Sequence, residues 1–206
     1  MAKSVLFLDQ LDSFSYNIVH LLESILGDAH SVAVIRYDDE QAWSDLELNG
    51  IIGCSGLVIG PGPGKPSDYP RIYRLIEKHK GEIPVLGICL GMQILGELLG
   101  YLVSEAPEAV HGKRRELQHD GAGLFQGLPL PLEVGRYHSL CLQMESRSNK
   151  RSVDGVSITA TCGNLPMALS ANAFAWDAVQ FHPESVLTPQ GSLIIENWIK
   201  LRFSGS

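Results

Sequence analysis

The chain has 206 residues, 45% of them hydrophobic, which is enough for one ample apolar core. A formal net charge of −7 argues against a nucleic-acid binder, and no uninterrupted apolar stretch is long enough to span a bilayer. Four cysteines without a C-x-x-C pair argue against a zinc ribbon, a thioredoxin-type motif or a disulfide scaffold, so no metal is expected. In "MAKSVLFLDQ" the apolar run after Lys3 is cut short by Asp9, which is no secretory signal; the expected setting is reducing and cytoplasmic.

The first half of the chain alternates two periods. "SVLFLD" (4–9) reads as a buried strand. In "FSYNIVHLLESIL" (14–26), Phe14, Ile18, Leu21, Leu22 and Ile25 recur at helical spacing; Asp12 or Ser13 can cap that helix and Gly27 can end it. "SVAVIRY" (31–37) and "GLVIG" (56–60) are further strands, with a turn, "PGPGKPSD", and a helix over 69–80 behind them. Lys78, His79 and Lys80 read as a solvated helix end. "IPVLGIC" (83–89) is a fourth strand and "LGMQILGELLG" (90–100) a helix. From about 101 to 165, short apolar runs between Gly and Pro predict strands and loops, partly antiparallel. "AWDAVQFHPES" (175–185) reads as a last strand entering a turn, and "GSLIIENWIKLRF" (191–203) as a closing helix.

The expected fold is therefore α/β: a mostly parallel central sheet with helices on both faces and a smaller antiparallel region in the second half. With no repeat, low-complexity stretch or linker, residues 1–206 are expected to form a single domain.

Residues 87–93 read "GICLGMQ". G-x-C-x-G has the form of a nucleophile elbow with sulfur in place of oxygen, and it lies where a strand should turn into a helix. A cysteine at a helix N-terminus feels the positive end of the dipole, which favours its thiolate, and the N–H of Leu90 can face a developing oxyanion. Cys54, Cys141 and Cys162 have no such setting and read as buried apolar residues.

A nucleophile needs a base, and "QFHPES" offers His182 with Glu184 two residues on. Two apart in extended chain, their side chains point the same way, roughly 6–7 Å apart at the backbone. Pro183 holds His182 out of helix, so one imidazole and one carboxylate can face a shared crevice as base and orienter. "GPGPGKPSD" (60–68) is not a phosphate loop: Ile59 stands where a P-loop needs its first Gly, and Pro66 follows Lys65. It reads instead as a stiff loop with open N–H groups at Gly62 and Gly64, able to line a pocket at the carboxyl ends of the strands.

"GPGPGKPSD", "GICLGMQ", "RYHSL" and "VQFHPES", in this order and spread over nearly the whole chain, resemble the signature blocks of the class I (triad) glutamine amidotransferases, whose fold is flavodoxin-like. "LDQLDSFSYN" (8–17), "VHGK" (110–113) and "RYHSL" (136–140) are similar to the glutaminase subunits of anthranilate and aminodeoxychorismate synthases. The resemblance implies that Cys89, His182 and Glu184 hydrolyse L-glutamine to glutamate and ammonia through a thioester. It also implies that Gly62, Gly64, Leu90, Gln93, Ser139 and Leu140 line the glutamine pocket, with no cofactor. It further implies a chorismate-using synthase as protein partner to receive the ammonia, with no nucleic acid or membrane involved, and an interface near Asp12–Ser13 and 110–115. The alternatives are an amidotransferase for another acceptor synthase, or a catalytically idle binding subunit on the same scaffold. The chain departs from the subfamily pattern at Gln10 (usually Asn), Met92 (usually His) and Ala178 (usually Gly).

Overall fold

The computed structural model describes residues 4–27, 30–51, 53–108, 112–146 and 155–203. Its first half runs β1 (Ser4–Asp9), α1 (Ser15–Leu26), β2 (Ser31–Arg36), α2 (Glu40–Asn49), β3 (Cys54–Ile59), α3 (Pro70–Lys78), β4 (Val85–Ile88) and α4 (Leu90–Leu98). The second half adds β5 (Tyr101–Glu105), β6 (Lys113–His119), β7 (Leu132–Arg136), β8 (Leu140–Ser146), β9 (Val156–Cys162), β10 (Leu165–Ala171), β11 (Trp176–Val179) and α5 (Gly191–Phe203).

Nine strands form one sheet in the order β2-β1-β3-β4-β11-β10-β9-β6-β7. The first five are parallel, and β10, β9, β6 and β7 extend the sheet antiparallel. β5 and β8 pair as a separate antiparallel ribbon. The parallel part thus has the flavodoxin-like order, in which the chain reverses its winding between β1 and β3 and ligands bind beyond the carboxyl ends of the strands.

Period-two alternation sends side chains to two opposite cores. Val5 and Phe7 of β1, Val58 of β3 and Ile88 of β4 pack with Ile18 and Leu22 of α1 and Ile194 and Trp198 of α5. Leu6, Leu8, Leu57 and Ile59 face the other way, onto Trp43 of α2, Ile72 and Leu75 of α3, and Ile94 and Leu95 of α4. Helices therefore cover both faces, as the near-continuous apolar strands require.

The observed elements differ from expectation at their edges. β3 begins at Cys54, earlier than expected, while the strand expected over 83–89 is confined to Val85–Ile88 because Pro84 has no N–H for the ladder and Cys89 leaves the extended region. α1 ends at Gly27, whose φ of 68° stops it, but neither Asp12 nor Ser13 is its N-cap. Phe14 holds that place, and Asp12 Oδ1 accepts from the Phe14 N–H at 2.8 Å, which shapes the turn before the helix. The helix α2 is an addition to the expected elements. The Lys78–Lys80 cluster does lie at the end of α3: Lys78 Nζ reaches the Glu47 carbonyl at 3.2 Å and Lys80 Nζ lies 3.9 Å from the Phe174 ring centre.

Candidate active site

Cys89 stands between β4 and α4 with φ 54° and ψ −101°, a conformation that L-residues avoid unless their surroundings impose it. The surroundings here are two glycines. A Cβ on Gly91 would lie 2.3 Å from the Ile59 carbonyl oxygen, and one on Gly87 would lie 2.6 Å from the Gly91 carbonyl carbon. Only hydrogen at both positions lets α4 start directly against β3 and β4, so the bend throws the sulfur outward at the strand ends. The Cys89 N–H is fixed to the Val179 carbonyl at 2.8 Å, tying the bend to the end of β11. Leu90 opens α4, and its N–H belongs to the first-turn donors that lack an intrahelical acceptor.

Just past β11, His182 lies within interaction range of the Cys89 side chain on one side and, through Nδ1, is bonded to Glu184 Oε1 at 2.6 Å on the other. Both His182 and Glu184 side chains are almost wholly buried. Burial works against a charged ring, but the interactions with Cys89 and then Glu184 outweigh it. The imidazolium is held well above its ordinary range. Thr188 Oγ1 donates to the His182 carbonyl at 2.7 Å and accepts from the Gly135 N–H at 3.0 Å, so the turn carrying the imidazole is pinned to β7. Tyr137 meets the His182 ring edge-on at 5.1 Å.

Cys89 opens onto a cavity of about 340 Å³, within the ~300–1,000 Å³ typical of small-molecule sites. Every residue expected in the substrate pocket lines it: Gly62, Gly64, Leu90, Gln93, Ser139 and Leu140. His182 and Glu184 are not in its lining. They stand behind the sulfur, and Glu184 lines a second cavity shared with α1. The Gly62 loop approaches so closely that a Cβ there would lie 2.4 Å from Gln10 Cβ and 2.9 Å from Leu90 Cδ2. Leu11, Asp12 and Ser13, after β1, close the cavity at the sheet's switch point.

The departures from the subfamily pattern sit around this site without adding to its lining. Gln10 is wholly buried; its Nε2 donates to the Leu8 carbonyl at 2.9 Å and its Oε1 has no partner. Met92 and Ala178 are core residues on the α3–α4 face. The candidate interface at 110–115 lies partly outside the described residues. Cys54 and Cys162 are half-buried and Cys141 is buried, and none of the three lines the cavity. Among the described residues no cluster of three or more His, Cys, Asp or Glu could hold a metal ion, and no helix is long and apolar enough to cross a membrane.

Three neighbours of the site were absent from expectation. Tyr137 and His138 line the cavity, and the buried Gln180 lies 3.6 Å from Cys89 Sγ through Nε2. His138 accepts from Arg136 Nε at 3.0 Å through Nε2, so Nδ1 carries the proton donated to the Leu140 carbonyl at 2.8 Å. Burial first, then the Arg136 charge, push its pKa down to about 4, so the ring is neutral at pH 7. A polar Gln at the end of an apolar strand is a signal for the third; Tyr137 meets partners far along the chain, while His138 bonds Arg136 and Leu140, each two residues away.

Residues 6–201 match the family model for class-I glutamine amidotransferase. The chain is 36% identical over 202 residues to anthranilate synthase component 2 of Vibrio parahaemolyticus, covering 96% of this chain and 95% of that one. It is 35% identical over 195 residues to aminodeoxychorismate synthase component 2 of Serratia marcescens, covering 95% and 98%. A Thermoplasma acidophilum crystal structure assigned as a GMP synthase subunit superposes with a TM-score of 0.79 at 22% identity, covering 99% of this chain and 96% of that one, which is a likeness of fold.

Proposed function

Because this chain belongs to the class-I glutamine amidotransferase family, we propose that it takes ammonia from the side-chain amide of L-glutamine with Cys89, His182 and Glu184, for delivery to a chorismate-using synthase. The observation that carries this reading is the sulfur itself: forced outward at a strained bend, beside an imidazole paired with Glu184, and open to a pocket lined by backbone-rich loops.

The chemistry follows from that placement. The Cys89 thiolate attacks the side-chain carbonyl carbon, and the oxygen takes the negative charge. N–H groups of Leu90 and the Gly62 loop hold it, in a site that needs no reorganisation at that moment. The His182 imidazolium gives its proton to the departing nitrogen, the C–N bond breaks and ammonia leaves, with a glutamyl thioester on Cys89. His182, now neutral, takes a proton from water; the hydroxide oxygen adds to the thioester carbon, the C–S bond breaks, and glutamate leaves a thiolate facing an imidazolium again.

The pairing with a synthase is supported by the component 2 relatives and by exposed apolar residues beside the site. Leu11 lines the cavity, Phe14 packs on Tyr137 of its lining at 6.1 Å between ring centres, and Val186 lies on the second cavity with Glu184. Such residues suit a partner that covers the site and receives ammonia out of water.

Glutamate release by wild type and by Cys89→Ser, each with the synthase present, tests the reading. The variant is expected to lose glutamine-dependent activity while ammonia added directly still supports the synthase; equal glutaminase rates would refute it. A glutamine-analogue electrophile should label Cys89, and mapping to Cys54, Cys141 or Cys162 overturns the assignment.

A further inference from the structure

Gln180 directly follows β11 and is wholly buried. An amide taken out of water must find partners for its donors and its acceptor. Gln180 Oε1 lies 3.3 Å from Gln93 Nε2, and its Nε2 lies 3.6 Å from Cys89 Sγ. This direction cannot reverse without cost. The Leu140 carbonyl can only accept, and it takes hydrogens from His138 Nδ1 at 2.8 Å and Gln93 Nε2 at 3.1 Å. Gln93 therefore turns its NH2 towards Leu140 and has one further hydrogen for Gln180. That hydrogen draws the Gln180 carbonyl oxygen towards Gln93 and leaves the Gln180 NH2 facing sulfur. The far end is pinned as well, because Arg136 Nε can only donate to His138 Nε2.

We propose that Gln180 is a further catalytic residue of the reaction assigned above: an amide donor held on Cys89 Sγ by the directed chain Arg136–His138–Leu140–Gln93, favouring thiolate over thiol and fixing the sulfur's aim. The proposal rests on Cys89 being the nucleophile. A donor N–H stabilises the anion more than the neutral thiol, because hydrogen bonds to ionised acceptors are roughly twice as strong. The same chain uses both hydrogens of Gln93, so the oxygen of that amide is the polar atom Gln93 has left for substrate. The titratable and charged groups around the sulfur are His182 with Glu184 behind it, His138 with Arg136 behind it, Tyr137, and Asp12 across the cavity.

The test is the pH profile of Cys89 alkylation by iodoacetamide, followed by mass spectrometry on the full chain. Gln180→Met is expected to move the profile about one pH unit upward, which is about tenfold slower alkylation at neutral pH. Gln93→Met, which removes the partner orienting Gln180 without touching Cys89, is expected to move it the same way by less. Profiles superimposed on wild type would overturn the proposal. Folding failure of both variants leaves a decisive measurement on the wild type: the Gln180 side-chain amide NMR signals must shift when Cys89 is alkylated, and unmoved signals overturn the proposal equally. Wild-type Cys89 that resists iodoacetamide at all pH values would instead refute the nucleophile assignment beneath it.

Discussion

His138 spans Arg136 and the Leu140 carbonyl, which leaves its folded form no room for a second proton. Its pKa falls from 6.5 to about 4, by burial and by the Arg136 charge. Between those values an unfolded ring binds a proton that the folded ring refuses, so stability declines as pH drops through this window. Each pH unit costs about 1.4 kcal/mol, or about 3 kcal/mol over the whole window. His138→Gln retains an acceptor and a donor but does not titrate. It is expected to lose up to about 3 kcal/mol less than wild type between pH 7 and pH 4. Urea midpoints at several pH values check this, and parallel pH slopes would contradict it. Sequence reasoning singled out Cys89, His182 and Glu184 as candidates because each is read from near neighbours: flanking glycines, a following proline, a carboxylate two residues on. Gln180 acts through bonds to Gln93 and Cys89, far back along the chain, and spacing carries no trace of such partners; His138 bonds its near neighbours Arg136 and Leu140, but only the fold joins those bonds to Gln93.

Among the elements, the strands and helices with strong periodicity were legible almost to the residue, as β1 and α5 demonstrate. The helix α2 was not, because in "EQAWSDLELN" only Trp43 and Leu46 turn to the core and the rest is polar. Its one local signal is Asp39, whose side chain accepts from the Ala42 N–H at 3.0 Å. The bend between β4 and α4 makes a prediction of its own. Gly91→Ala would drive a methyl group to 2.3 Å from the Ile59 carbonyl oxygen, so α4 must shift away from β3. Overpacking of this kind costs about 1–3 kcal/mol. Displacing the sulfur by even about 1 Å can cost on the order of a hundredfold in rate. Thermal melting and glutamate release together check both effects; unchanged values for both would show that the bend tolerates a side chain.

Across the whole molecule, the parallel half of the sheet was legible from strand–helix alternation, while the order of β10, β9, β6 and β7 was not. Antiparallel pairing after a long, loop-rich stretch leaves register and neighbours open until tertiary contacts settle them. The exposed apolar residues beside the site belong to this scale too. Val186, 85% exposed and two residues past Glu184, faces solvent in the chain alone. Val186→Asp is expected to weaken association with the synthase at least about tenfold, as loss of a buried apolar anchor does, with the Cys89 alkylation rate unchanged. Equal affinities by titration calorimetry would place the partner elsewhere.

β4 and β11 are neighbours in the sheet, yet the described residues between them form six other strands and an α-helix. A nascent polypeptide that has emerged from the ribosome only as far as α4 carries its sulfur with no imidazole to serve it. It cannot hydrolyse glutamine by the proposed route, since the imidazole arrives only when β11 pairs with β4. A protease cut in the loop after β11 that releases His182 would silence it again.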